Sequence, residues 1–376
     1  MRVSAARIAG GSGAQAGRRR VGTYSLFASI AFDLQEETMH LNRRALIMSS
    51  AAGAAASFTL GRIDIAQAQT SSGASSMAMA GSGEQLPGAY RYRLGDFTVT
   101  QITDGMAARP LDAGFVVNAE LEDVQGALQE AFLPPDKLFI PFTPLTLRSG
   151  DELVLFDTGF GESGPPTAGQ LARGMAAAGI DPAAVSCVVI SHFHPDHILG
   201  LTTKAGEPIY PNAEVMVPEP EYAFWMSDDN KANAPEGRRG NFDMAQKIFG
   251  ALGERVSQFK WDAEVMPGVT AIDAHGHTPG HTVFAIESGD ERLMFLADTT
   301  NHPALFVRHP DWAAVFDQDA EAARQTRRRL LDMAAEERMR VAGYHFPFPA
   351  TGHIAKDGEG YRFVPAQWMP VLDGQA

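Results

Sequence analysis

Ser191-His192-Phe193-His194-Pro195-Asp196-His197 places four side chains able to bind a metal within six positions, a density that packing or chance does not account for. It follows Cys187-Val188-Val189-Ile190, a short apolar run that reads as a buried strand. The donors therefore begin where a strand ends, at the edge of a core. Pro195 disfavours a helix at this point, so the imidazoles and the carboxylate are expected to converge from a loop.

Ten of the eleven histidines lie at or beyond residue 192, and three later stretches repeat the arrangement of apolar strand followed by donor. A strand at 269–273 leads into Ala274-His275-Gly276-His277-Thr278-Pro279-Gly280-His281, where the glycines and proline suit a tight loop; one of its three histidines suffices as a ligand. Leu293-Met294-Phe295-Leu296-Ala297 delivers Asp298, and Val341-Ala342-Gly343-Tyr344 delivers His345, with His353 as the alternative donor for that position. The candidates are His192, His194, His277, His345, Asp196, His197 and Asp298. One zinc takes three or four protein ligands, so this set is too large for one ion and suits two that share a carboxylate. His275, His302 and His309 read as surface residues. Asp157, at the end of the apolar strand Leu153-Val154-Leu155-Phe156, is either a support behind the ligands or a turn cap; His281 is a second candidate for the supporting role.

Composition narrows the partners. A single cysteine, Cys187, excludes an intramolecular disulfide and a four-cysteine zinc knuckle, leaving histidine and carboxylate to bind zinc or another first-row ion. The formal net charge of −14 argues against nucleic acid and against anionic membranes, both of which call for a basic face.

The N-terminal part reads separately from the fold. Residues 1–38 carry no folding pattern, and Met39 is a candidate start of translation. Residues 39–68 have the plan of an export signal: Arg43-Arg44, an apolar run from Ala45 to Leu60, and Ala66-Gln67-Ala68 as a cleavage site. The paired arginines resemble a twin-arginine signal, which predicts a periplasmic or secreted product with no stable membrane anchor after cleavage. Residues 69–85 read as a flexible linker rich in Ser, Gly, Ala and Met, and residues 86–376 as the catalytic domain.

Along that domain, strands are expected at 97–102, 145–147, 153–156, 187–190, 213–217, 269–273, 283–287, 293–296 and 340–344. Helices are expected at 121–132, 171–178, 219–226, 241–252 and 317–338. Residues 229–240 read as a polar loop placed to act as a lid, and the charges of the last helix as a solvated face.

On these residues the chain resembles the metallo-β-lactamase superfamily, whose His-x-His-x-Asp-His signature stands here as His192 to His197. Asp157-Thr158-Gly159, Gly276 to His281, Leu296-Ala297-Asp298 and the final strand with His345 follow in the family's order. The resemblance spans about Leu86 to Trp368. It implies an α/β fold, an αββα sandwich of two mixed sheets with helices outside and the metals at one sheet edge. Within the superfamily the chain is most similar to methyl parathion hydrolases and quorum-quenching lactonases, through Leu94-Gly95-Asp96-Phe97, Ala223-Phe224-Trp225, His345-Phe346-Pro347-Phe348-Pro349 and Gly360 to Pro365.

That resemblance implies that His192, His194 and His277 bind one ion, that Asp196, His197 and His345 bind the other, and that Asp298 bridges. The ions implied are two Zn²⁺, and the assembly implied is a homodimer. Trp225 and Phe242 match positions of an aromatic substrate pocket, and with Phe224 they would supply an apolar wall for a neutral ester; plain core packing is the alternative for these residues. Where those hydrolases carry a further pocket aromatic shortly after Asp-Thr-Gly, Gly164 is expected here. The expected activity is hydrolysis of neutral esters, lactones or organophosphate triesters, by a metal-bridging hydroxide, with Asp298 and Asp196 as the catalytic carboxylates. Competing readings are a β-lactamase-like or thioester hydrolase, a mononuclear iron oxidoreductase of the same fold, and a metal-binding scaffold without catalysis.

Overall fold

The computed structural model describes residues 85–372. The expectations for 1–38, for the export signal at 39–68 and for all but the last position of the linker at 69–85 lie outside the described residues. Strands β1 (Ala89–Leu94) and β2 (Phe97–Ile102) form an antiparallel pair, while β3 (Gly105–Pro110) and β4 (Lys137–Phe142) pair only with each other as a separate ribbon. With β5 (Leu145–Ser149), β6 (Glu152–Phe156), β7 (Cys187–Val189), β8 (Glu214–Pro218) and β9 (Val256–Phe259), the first sheet runs β1-β2-β5-β6-β7-β8-β9. The second runs in chain order through β10 (Glu264–Met266), β11 (Val269–Asp273), β12 (Thr282–Ser288), β13 (Glu291–Phe295), β14 (Arg340–Ala342), β15 (Thr351–Asp357) and β16 (Gly360–Pro365).

The helices are α1 (Leu121–Glu130), α2 (Leu171–Ala177), α3 (Pro195–Ile198), α4 (Glu219–Trp225), α5 (Asp228–Asn233), α6 (Glu236–Leu252) and α7 (Ala320–Glu336). None among the described residues is long and apolar enough to cross a membrane.

Period-two side-chain alternation produces the layers. In β6, Val154 and Phe156 enter the core between the sheets, while Leu153 and Leu155 enter a second core that holds Leu171 of α2, Trp225 of α4 and Phe242, Ile248 and Phe249 of α6. In β13, Leu293 and Phe295 face the first core, and Met294 faces Leu330, Leu331 and Ala334 of α7. Helix, sheet, sheet, helix is thus the order of layers, as the resemblance implied.

Strand direction sets the position of the site. In the first sheet β6 and β7 are parallel. In the second, β11, β13 and β14 all point one way, because β12 is antiparallel to β11 and to β13, and β13 is parallel to β14. The donors of each sheet therefore follow the same ends of its strands.

Several local readings are corrected. Pro195 opens a short helix rather than preventing one: at the first helical position its missing N–H is no loss, so α3 carries Asp196 and His197 while His192 and His194 lie in the loop before it. Residues 229–240 are not an irregular lid. Ser227 caps α5 by accepting from the Asn230 N–H, and α6 begins at Glu236 despite Gly237 and Gly240. The last helix begins at Ala320, capped by Asp319, so Asp317 lies outside it. Its face is not wholly solvated, since Arg327 is buried. His302 is buried as well, not on the surface.

Candidate metal centre

Four imidazoles have a fixed tautomer. His197 Nδ1 donates to Asp157 Oδ2 at 2.8 Å, His277 Nδ1 to Asp317 Oδ1 at 2.9 Å, and His345 Nδ1 to the Pro141 carbonyl at 2.8 Å. His192 Nδ1 lies 3.0 Å from Ser191 Oγ, whose hydroxyl in turn donates to Asp157 Oδ2. With every Nδ1 proton committed to an oxygen, Nε2 is the nitrogen left to ligate, its lone pair free once any second proton is displaced. Those lone pairs converge on Asp298. Its Oδ2 is 3.2 Å from His277 Nε2, 3.0 Å from His345 Nε2 and 3.9 Å from His192 Nε2, and its Oδ1 is 3.1 Å from His197 Nε2.

The donors fall into two sets that share one carboxylate: His192, His194, His277 and Asp298, and Asp196, His197, His345 and Asp298, with the ligand atoms of each set within 4.8 Å of one another. His194 enters through Nδ1, 3.0 Å from His192 Nε2 and 2.9 Å from His277 Nε2. Lone pair facing lone pair is repulsive unless something positive lies between. His197 Nε2 and Asp298 Oδ1 are buried without any hydrogen-bond partner in the protein. Acceptors so arranged fit divalent cations.

The electrostatics show what a cation would displace: burial lowers His197, His277 and His345, yet the carboxylates beside them, Asp196 for His197 and Asp298 for His277 and His345, raise all three, His277 to about 9, so without a cation each carries a second proton at neutral pH. Burial and the neighbouring imidazole of His277 push His194 down to about 3, so it stays uncharged and able to ligate at neutral pH. Burial alone would raise Asp298, yet the imidazoles of His345 and His197 hold it well below the usual carboxylate range.

Each expected residue can now be placed. Asp157 is a support for the ligands: it accepts from the Ser191 N–H, the Ser191 hydroxyl and His197, and its φ of +57° places it in the left-handed region. His281 has both nitrogens spent, with Nδ1 donating to the Ala274 carbonyl and Nε2 accepting from the Asp298 N–H. It therefore holds the Asp298 backbone and leaves the ligating position to His277. His353 lies exposed on β15, away from the donors. His275 is exposed and bonded to Asp273.

The aromatic residues require correction. Trp225 and Phe242 are buried in the core behind His194, packed on each other with ring centroids 4.6 Å apart, and Phe224 packs against both; none of the three lines the cavity over the donors. That cavity, of about 360 Å³, is walled by Ala107 and Ile140 and by Phe142, Phe160 and Phe316, with Arg109, Asn241 and Asn301 as polar groups. His194, Asp196, Asp298 and His345 form its floor. The expected gap at Gly164 is filled by Phe160, which directly follows Asp157-Thr158-Gly159 and stacks edge-on against Phe142 at 4.8 Å. Phe142 belongs to the separate ribbon, whose Pro141 also holds His345.

Sequence reading also missed Asp317 and Arg327. Arg327 donates to Asp317 Oδ2 and to the carbonyls of Thr299, Pro310 and Trp312, so α7 secures the carboxylate that orients His277 and the loop that follows Asp298. The available signal was Asp317, placed just before the helix.

No curated protein matches the chain. Among solved structures, a dizinc quorum-quenching lactonase, AidC, in complex with a product N-hexanoyl-L-homoserine, is 26% identical; the match covers 76% of this chain and all of that one, with a TM-score of 0.72. A hydrolase of the β-lactamase superfamily, AbOPH, is 25% identical over 76% of this chain and all of its own, with a TM-score of 0.71. A probable metal-dependent hydrolase from Staphylococcus aureus, 19% identical over 73% of this chain and all of its own with a TM-score of 0.57, shares the fold. The family profile described as the metallo-β-lactamase superfamily matches residues 146–342, which hold every donor but His345. With the layered sheets and the paired His/Asp sets, this shows that the chain belongs to the metallo-β-lactamase superfamily.

Proposed function

We propose that this protein is an exported dinuclear zinc hydrolase that opens lactones, with N-acyl homoserine lactones as the leading substrate class. The observation that carries the reading is Asp298 shared between two donor sets on the floor of an apolar cavity. The 26% identical lactonase, solved with an acyl-homoserine product, supports the choice of substrate. Two divalent cations in such a site would polarise the substrate carbonyl and lower the pKa of water.

The chain's own residues do the rest. Phe142, Phe160 and Phe316 form a wall that takes an acyl chain and excludes water. Asp196 is the more open of the two carboxylates, its side chain 14% exposed against 4% for Asp298. It is placed to take the proton released from water and pass it to the ring oxygen as the acyl C–O bond breaks, giving a hydroxy acid. Asp298 holds the two donor sets at a fixed spacing.

The test is metal content by elemental analysis together with turnover of N-hexanoyl homoserine lactone and a nitrophenyl phosphotriester, before and after chelation. About two zinc ions per chain and chelator-sensitive lactone turnover are expected. One iron per chain with no hydrolysis would overturn the reading. The three phenylalanines also favour a second substrate class, the aryl phosphotriesters, and the same assay ranks the two. Export rests on Arg43-Arg44 and the apolar run after it. N-terminal sequencing of the exported product is expected to begin near Gln69, and a product that starts at Met1 would refute it.

A further inference from the structure

Glu221 lies in α4, fully buried, and takes no part in the chemistry above. Four donors meet its carboxylate. Oε1 accepts from the Phe193 N–H at 2.9 Å and from Trp225 Nε1 at 2.6 Å; Oε2 accepts from Thr278 Oγ1 at 2.8 Å and from the Gly280 N–H at 2.7 Å. A carboxylate has about four acceptor sites, so this one is saturated and has nothing left for a ligand or a proton relay.

The identities of the donors give the group its meaning. Phe193 stands between His192 and His194, Thr278 follows His277, and Gly280 closes the same loop. The first loop follows β7 of one sheet and the second joins β11 to β12 of the other. One side chain therefore ties together, across the two sheets, the loops that carry all three histidines of a single donor set. The approach is close enough to dictate residue 280: a Cβ there would lie 2.1 Å from the Glu221 nitrogen. Glu221 touches no side chain of the other set, which is held by Asp157 for His197, the Pro141 carbonyl for His345, and the Tyr344 hydroxyl for the Asp196 carbonyl; Asp157 is shared, since it also holds the Ser191 hydroxyl behind His192.

We propose that Glu221 is a positioning residue that acts on the His192, His194 and His277 site and not on its neighbour, so that one metal site of the centre can be tuned without the other even though Asp157 and Asp298 serve both. The proposal rests on the dinuclear reading above. Its basis is preorganisation: buried hydrogen bonds that fix ligand loops raise metal affinity without touching the ion.

The test uses the full zinc-loaded protein and two substitutions. Glu221→Gln keeps the volume but turns an amide NH₂ toward two of the four donors, while Thr278→Val keeps Glu221 and removes one hydrogen bond. Zinc affinity is read site by site through competition with a chromophoric chelator, and the visible spectrum of the cobalt-loaded protein reports each site's geometry. Glu221→Gln is expected to weaken one zinc site about 10- to 100-fold and to change one set of cobalt bands, with the second site unchanged. Thr278→Val is expected to weaken the same site less. Equal weakening of both sites, or no change at either, would overturn the proposal; the first marks a merely structural role. If Glu221→Gln does not fold, Thr278→Val decides by the same criterion. A wild-type protein that binds only one zinc would instead defeat the dinuclear reading, and Glu221 would then be refuted only if that zinc were insensitive to both substitutions.

Discussion

Each ligating imidazole whose Nδ1 proton is committed owes its tautomer to an oxygen outside the metal set, and the strongest such partner of His277 is Asp317, itself paired with buried Arg327 at 3.3 Å. Asp317→Asn is expected to lower zinc affinity about 10- to 100-fold with little change in fold, because the amide holds His277 weakly and admits the wrong tautomer; chelator competition measures it. Residues of this kind were poorly legible in the sequence. The seven donors announced themselves through close spacing or through a strand that ended in a donor. Glu221 and Arg327 carry no local pattern, and on a helix rich in acid and base pairs Arg327 looks like any solvated charge. Its burial follows from three backbone carbonyls that arrive from the segments at 299 and 310–312, which only the folded chain brings together.

Strands and helices were legible where periodicity was clean, as in β6, β7, β11 and β13, and less so where sequence chemistry pointed both ways. Pro195 reads as a helix breaker in sequence yet stands at a position where proline starts helices, and the polar stretch at 229–240 hides most of α5 and the first turn of α6, joined by a short break. The packing of α6 on α4 explains the misplaced aromatic residues: once α6 extends to Glu236, Phe242 and Trp225 face each other in the core.

A paired experiment separates wall from core. Phe160→Ala is expected to raise KM for a hexanoyl lactone about tenfold, through loss of part of one aromatic contact worth ~1.5 kcal/mol. Phe242→Ala should leave KM near its original value and cost about 3–5 kcal/mol in stability, seen by denaturant unfolding. Within β7, burial first and then the charges of Glu214 and Glu152 push the Cys187 thiol up to about 12 from an ordinary 9.0. The native state therefore keeps its proton where the unfolded chain loses one, so this group's contribution to stability is full below pH 9 and is lost as pH rises toward 12. At pH 8 the native thiolate fraction is ~10⁻⁴ against ~10⁻¹ when unfolded, and alkylation by iodoacetamide is expected to be at least ~1,000-fold slower before denaturation than after.

For the molecule as a whole, the centre is a joint between two sheets. Asp157 and the 192–197 cluster come from the first, His277, Asp298 and His345 from the second, and the donor lone pairs they present to one another repel until a cation intervenes. Chelation is therefore expected to loosen the sandwich itself as well as to stop catalysis. At free zinc ~1,000 times the dissociation constant, each site adds about 4 kcal/mol to stability, and thermal unfolding with and without chelator reads the difference. The layered fold was legible only through resemblance, because continuous apolar runs identify strands buried on both faces but do not say which sheet each strand joins.

The β3–β4 ribbon belongs to neither sheet, yet it supplies Ala107, Arg109, Ile140 and Phe142 to the cavity wall and the Pro141 carbonyl to His345. The wall is made of side chains and the hold on His345 is main chain, which no substitution at position 141 can delete. Selection or a designer can thus rewrite what the cavity admits, residue by residue, and leave the reactive centre its anchor: substrate range and chemistry are inherited as separate traits.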